Sequence, residues 1–332
     1  MHRARTAAAC ALALLCALLL AACGGSAATD PSPSKKPTQA TLVLDFVPNA
    51  VHAGIYRALA AGYYGAHGIE LHVVTPGATQ DPLSLVDGGR AQFGLADGSD
   101  VATQIDRGGD AQAVMAIAQR PLGGLIALRS EGLHSPAQLQ GRTVGITGVP
   151  SDRVVLETEV RAAGGDPRKV HVVTVGFDGA QALLSGRIAA FTGFVPADGV
   201  QLQVQGHPIT PFRLDEYGGP GYPGLVAFAT QRLIASNPAL VKAFVTATKQ
   251  GYEDTLRAPA QSVEDLLRLN PGLDGRFTNA SLAAYMPLFS EQGKVPFGTL
   301  RAARIEGLSA WMLHNGLIHA PITPARYGTS SG

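Results

Sequence analysis

From Thr41 to Ala229, short β-branched runs alternate with segments of helical periodicity, and this alternation limits the chain to α/β architectures with mainly parallel sheets. The first set of units predicts strands at Thr41–Phe46, Ile69–Val74, Ala91–Ala96, Gln112–Ile117 and Gly124–Leu128. Helices are predicted between them at His52–Ala61, Asp81–Val86 and Gly98–Arg107. Ser135-Pro136, a cap and first-turn pair, opens a second set. Its strands are predicted at Arg142–Thr147, Val170–Val175, Ala189–Phe194, Pro208–Arg213 and Leu225–Ala229, with helices at Ser151–Ala163 and Asp178–Ser185. Beyond Asn237-Pro238 the pattern is helical, with Leu240, Phe244, Thr248 and Tyr252 on one face of a long helix.

Two similar sets followed by covering helices imply two α/β lobes, each a mainly parallel sheet flanked by helices. The boundaries read as 40–128 plus 229–325 for lobe 1 and 129–228 for lobe 2, with crossings near Leu128-Arg129 and Phe228-Ala229. Ligands of such folds sit at the C-terminal ends of strands and between domains. That rule gathers Asp45–His52, Ala96–Asp100, Thr147–Asp152 and Phe194–Pro196 around one interlobe cleft. The arrangement resembles the periplasmic-binding-protein fold of type II kind, whose lobes hinge shut on a ligand.

The start of the chain reads as an address. Arg3 and Arg5 precede an apolar run that ends in Leu20-Ala21-Ala22-Cys23-Gly24, the form of a secretory signal over residues 1–22. Small residues before Cys23 resemble a bacterial lipobox, which implies cleavage there and acylation of the thiol; the plainer alternative is an ordinary secreted leader. Residues 23–39, rich in Ala, Ser, Pro and Lys, then read as lipidated Cys and flexible tether. Cys10 and Cys16 lie within the leader, so a body cut at Cys23 holds no other thiol for a disulfide, a Cys-bound metal or a nucleophile. Without Arg3 and Arg5 the basic residues number 24 against 25 acidic, with no basic patch for nucleic acid. The balance favours a small neutral or zwitterionic partner over a polyanion.

The run Leu44-Asp45-Phe46-Val47-Pro48-Asn49-Ala50-Val51-His52-Ala53-Gly54-Ile55-Tyr56 is similar to the opening motif of the thiamine-pyrimidine-precursor binding proteins, the NMT1/THI5-like family. Further matches are Gly62-Tyr63-Tyr64, Gln119-Arg120-Pro121-Leu122, Leu139-Gln140-Gly141-Arg142, Leu183-Leu184-Ser185-Gly186-Arg187 and Gly221-Tyr222-Pro223. The resemblance spans roughly Thr41 to Trp311. It implies the solute-binding subunit of an ABC importer, a lipid-anchored monomer on the extracytoplasmic face of a bacterial membrane. Its partners would be a permease, the permease's ATPase and a small aromatic heterocycle. Two departures bear on the ligand: Phe46 stands where the look-alikes carry Trp, and Gly224 where an acidic residue follows Tyr-Pro. A riboflavin-like heterocycle, a small sulfonate, or a sensor role stays open beside the pyrimidine.

The expected ligand-binding residues are Asp45, Phe46, Asn49, His52, Asp97, Thr147, Gly148, Phe194 and Tyr222. An aminopyrimidine offers two flat faces and an edge with an amino donor beside a ring nitrogen. A carboxylate at Asp45 suits that edge, a contact worth about 1.5–3 kcal/mol. Phe46 with Phe194 or Tyr222 can stack on the faces for about 0.5–1.5 kcal/mol beyond burial. Each also has a plainer reading. Asp45 and Asn49 can be turn chemistry, Phe46 core, His52 a helix start, and Asp97 and Asp100 helix N-terminal carboxylates. No catalytic residue, cofactor or metal is expected: the nine histidines are scattered, without the i, i+4 pair of a helical zinc site. The related pyrimidine synthases carry a Lys, a His and a Cys cluster. The matching positions here read Ala96, Asp100 and Gly219-Pro220-Gly221-Tyr222.

Overall fold

Among the described residues ten strands form two five-stranded sheets of the same plan, ordered β2-β1-β3-β10-β4 and β7-β6-β8-β5-β9. The computed structural model describes residues 36–77, 81–148, 150–176 and 178–328. The expected leader, Cys23 and the tether as far as Lys35 lie outside the described residues. The first sheet uses β1 (Thr38–Val43), β2 (Ile69–Val74), β3 (Phe93–Ala96), β4 (Ala111–Ala118) and β10 (Leu225–Thr230). The second uses β5 (Gly123–Leu128), β6 (Thr143–Ile146), β7 (His171–Thr174), β8 (Ala190–Phe194) and β9 (Ile209–Arg213). The molecule is thus α/β and two-lobed.

In each sheet three strands run parallel, β1 with β2 and β3, and β6 with β7 and β8. One interior strand opposes them: β10 lies antiparallel between β3 and β4, and β5 between β8 and β9. Each opposing strand is the first that the chain lays down after crossing from the other lobe. This corrects the expected crossings at Leu128-Arg129 and Phe228-Ala229, because β5 already belongs to the second sheet and β10 to the first. The crossings fall at Gln119-Arg120-Pro121-Leu122 and in the segment Gly218-Gly219-Pro220-Gly221-Tyr222-Pro223-Gly224. Proline cannot donate to a ladder and glycine weakens one, so these residues end pairing where the chain changes lobe. The first sheet also begins earlier than expected, since β1 starts at Thr38 in register with Ile69.

Side-chain alternation gives each sheet two dry faces. Leu42, Leu44, Phe93 and Leu95 face the helices Ala53–Ala60, Pro238–Arg257 and Gly275–Phe289, where Phe93 stacks on Phe244 at 3.9 Å. Val43, Ala96, Val226 and Phe228 share the other face with Leu308 and Met312 of the helix Ala302–His314. In the second sheet Leu125, Val144 and Phe212 divide likewise from Ile126, Phe191 and Ile209.

One close approach positions the first site loop. A Cβ on Gly251 would lie 2.0 Å from the Gly54 carbonyl oxygen, and one on Gly54 would lie 2.3 Å from the Tyr252 ring. The helix Ala53–Ala60 therefore sits against Pro238–Arg257 at backbone distance. The Tyr252 hydroxyl then donates to the Val51 carbonyl at 2.7 Å and holds the turn from which that helix grows.

Candidate functional site

The loop after β1 folds around Asn49. Its side-chain oxygen accepts from the Val51 N–H at 3.0 Å and its amide nitrogen donates to the Val47 carbonyl at 3.0 Å. This caps a 3-10 turn, Ala50–His52, that runs straight into the helix Ala53–Ala60. The expected helix start at His52 is thus preceded by a tighter turn. His52 is fully buried, and its Nδ1 accepts the Asn49 backbone N–H at 3.2 Å. An Nδ1 that accepts an amide proton carries none itself, so the ring proton sits on Nε2. Nε2 then donates to Asp45 Oδ1 at 2.7 Å. Asp45 is held by one oxygen, and its Oδ2 makes no hydrogen bond to a described residue. Asn49 and His52 act on this carboxylate as orienting groups.

The loop after β3 places Asp97 at the cap of Gly98–Asp106, where Oδ1 accepts from the Ser99 N–H and hydroxyl, both at 2.7 Å. Burial pushes the Asp97 carboxyl up to about 7, and the charges of Asp100 and Asp45 add to the shift. Asp100 is raised as well, first by desolvation, then by Asp81 and by Asp152 of the other lobe. Tyr222 is only 5% exposed and packs with Val43, Ala96 and Val226. The structure places its ring in the core of the first lobe, whereas Phe46 is 52% and Phe194 37% exposed.

The loop after β6 is occupied from within. Asp152 Oδ2 accepts from the Thr147 N–H at 2.8 Å, the Thr147 hydroxyl at 2.5 Å and the Gly148 N–H at 3.1 Å. A helix N-terminus flanked by free amides attracts anions; here Asp152 supplies the anion itself. After β8, Asp198 Oδ2 accepts the Phe194 N–H at 2.7 Å, and burial raises its carboxyl. Sequence reasoning placed neither Asp152 nor Asp198 among the ligand residues. Asp152 stands six residues past the end of β6 and Asp198 four past the end of β8, spacings shared by ordinary capping groups.

Carboxylates from both lobes therefore line the strand ends, and the charge of Arg107 partly offsets that of its neighbours at Asp100. Such a cleft suits a ligand rich in N–H donors and repels anions. Cavities of about 390 and 240 Å³ lie at Arg161–Arg168 and behind the crossings beside Arg120 and Arg304, and no expected site residue lines either. Among the described residues no cluster of His, Cys, Asp or Glu could hold a metal, and no helix is long and apolar enough to cross a membrane.

The raised carboxyls carry a signed consequence for stability. Asp97 takes up its proton near pH 7 when folded and near 3.8 as an ordinary carboxyl, so between these values the native state binds more protons. Stability from this group therefore increases as pH falls through 7 and is fully gained near pH 4. Melting temperature measured from pH 8 to 5.5 should rise less steeply in Asp97→Asn, which keeps the cap acceptor but cannot titrate. Identical slopes in the two proteins would show that Asp97 ionises normally.

Two lobes, matching sheet plans and loops gathered at strand ends define a solute-binding protein fold. The periplasmic aliphatic sulphonate binding protein SsuA from Escherichia coli shares it, with a TM-score of 0.70 at 14% identity over 88% of this chain and 97% of that one. The sequence is narrower: residues 49–262 match the NMT1/THI5 like family model, and the chain belongs to that family. It is 30% identical to a formylaminopyrimidine-binding protein of Halalkalibacterium halodurans over 93% of this chain and 94% of that protein. It is also 26% identical to a 4-amino-5-hydroxymethyl-2-methylpyrimidine phosphate synthase of Legionella pneumophila, over 76% of this chain and 80% of that enzyme.

Proposed function

We propose that this chain is the solute-binding subunit of an ABC importer, and that it carries an unphosphorylated pyrimidine precursor of thiamine, of the hydroxymethylpyrimidine or formylaminopyrimidine type. The observation that carries the reading is Asp45, aimed by His52 through one oxygen and open at the other. An aminopyrimidine edge meets Asp45 with its amino donor, while Phe46 and Phe194 close on its faces. The relative named for binding formylaminopyrimidine supports this choice. Asp152 argues against a sulfonate or a phosphorylated ligand, because it already fills the amides of Thr147 and Gly148. Binding without turnover fits Ala96 and the absence of any cysteine after Cys23.

In this reading the protein works outside the cytoplasmic membrane, anchored by lipid at Cys23, as a monomer whose lobes close on the ligand. Closure gives the permease and its ATPase a shape distinct from the empty one. Lobe 1 comprises the body up to Gln119 and from Leu225 onward, and lobe 2 the segment between.

Mass spectrometry of the full-length protein from its host's membranes tests both halves. Denaturation should release a molecule of aminopyrimidine mass, and the N-terminal peptide should begin at Cys23 with the added mass of acyl chains. A released sulfonate or flavin overturns the ligand, and an unmodified N-terminus overturns the anchor.

A further inference from the structure

The helix Gly275–Phe289 touches the ligand loops of both lobes. It packs on the turn Ala50–His52 of the first and on the π-helical turn Val195–Gly199 of the second. Its Ser281 hydroxyl donates to the Pro196 carbonyl at 2.7 Å across the lobes. Tyr285 lies one turn further along the same face.

Tyr285 differs from three other tyrosines buried in this lobe. Tyr64 is bonded to Thr248, Tyr252 donates to the Val51 carbonyl and Tyr327 to the Gly98 carbonyl. Tyr285 is just as buried, at 2% exposure, yet its hydroxyl makes no hydrogen bond to a described residue. Nor does it belong with the sealed polar atoms that lack a partner, so the oxygen keeps contact with solvent. An apolar ring buried to its tip, with only the hydroxyl reaching water, is the form of a side chain that presents one polar atom to a cleft. Asp45 of one lobe and Asp198 of the other both act on that hydroxyl and, with burial as the main cause, raise its pKa. It therefore stays protonated throughout the neutral range, a donor set among acceptors.

We propose that Tyr285 reads the ligand: its hydroxyl donates to the ring nitrogen beside the amino group that Asp45 accepts. The inference rests on the aminopyrimidine reading above and deepens it. Asp45 offers an acceptor and Tyr285 a donor, the complement of an edge that carries a donor next to an acceptor. Two carboxylates alone would select any amine. A carboxylate paired with a fixed donor selects an amidine-like edge, because an amine without the neighbouring acceptor leaves the hydroxyl unpaired in a closed cleft. Tyr285 belongs to the helix that contacts both loops, so this reading is made where closure is sensed.

Calorimetry on full-length wild type and Tyr285→Phe tests the assignment with two probes. One is 4-amino-5-hydroxymethyl-2-methylpyrimidine; the other is its analogue with CH in place of the ring nitrogen beside the amino group. The variant should bind the pyrimidine about tenfold more weakly. It should bind the CH analogue as wild type does, and its melting temperature should not fall. Equal pyrimidine affinity in the two proteins overturns the role of Tyr285 alone, as does equal weakening towards both probes. No pyrimidine binding by wild type overturns the ligand reading and this assignment with it.

Discussion

Asp45→Asn should bind an aminopyrimidine more weakly by on the order of 2–4 kcal/mol, roughly 30- to 700-fold. The variant is nearly isosteric, and its amide oxygen can still accept from His52 Nε2 at the 2.7 Å position. Doing so turns the amide nitrogen towards the ligand. A donor then faces the amino donor, the charge that assisted the contact is lost, and both groups stay unpaired once the lobes close. Folding should change little, because the His52 bond and the Asn49 cap survive. Calorimetry and thermal melts on wild type and variant decide the point. Equal affinities with equal melting temperatures would return Asp45 to turn chemistry.

Gly251→Val should lose about 3 kcal/mol or more of stability, at or above the upper end of ordinary overpacking. The new Cβ would fall 2.0 Å from the Gly54 carbonyl oxygen, 2.7 Å from the Ala58 Cβ and 3.0 Å from the Ala58 nitrogen. These neighbours are backbone or fixed to it, so relief requires the two helices to part. A drop in melting temperature of about 5 °C or more follows for a chain of this size. Parting the helices also pulls the helix Ala53–Ala60 from the turn that orients Asp45, so affinity should fall with stability. Gly65→Ala is the control, since nothing lies within 4 Å of its Cβ position. A variant at Gly251 that melts like the control would show that the helix crossing is looser than described.

The elements were legible because each announces itself locally. Ile69–Val74 shows itself by alternation, with Ile69, Leu71 and Val73 set between Glu70 and His72, and Gly98–Asp106 begins at its capping Asp97. Sheet membership was not. Gly123–Leu128 reads like any buried strand, and which sheet it joins depends on pairing with Phe194 and Arg213, far along the chain. The Asp45 loop showed its chemistry in the eight residues Asp45–His52, yet the aim of the carboxylate comes from a 3-10 turn that no hydrophobic period encodes. Tyr222 misled for the opposite reason: a tyrosine among prolines and glycines looks exposed, and only the fold of the crossing segment buries it. Tyr285 stayed hidden in a helix whose apolar pattern explains its burial but not its unpaired hydroxyl.

The opposing strand of the first sheet also governs the order in which that lobe can fold. Strand β3 ends at Ala96 and β4 at Ala118, but β10, which must lie between them, arrives only at Leu225. Until then both strands expose an unpaired edge, and the N-terminal half has no complete sheet to settle into. Pairing over such sequence separations is slow, because loop closure precedes the gain from contact. The first lobe of a nascent chain of this plan stays pliable until more than two-thirds of the chain has been made. That delay is useful to any polypeptide that must thread a translocation pore before it folds, and it makes late truncations hazardous, since they leave the early strands with open edges and no partner to fill them.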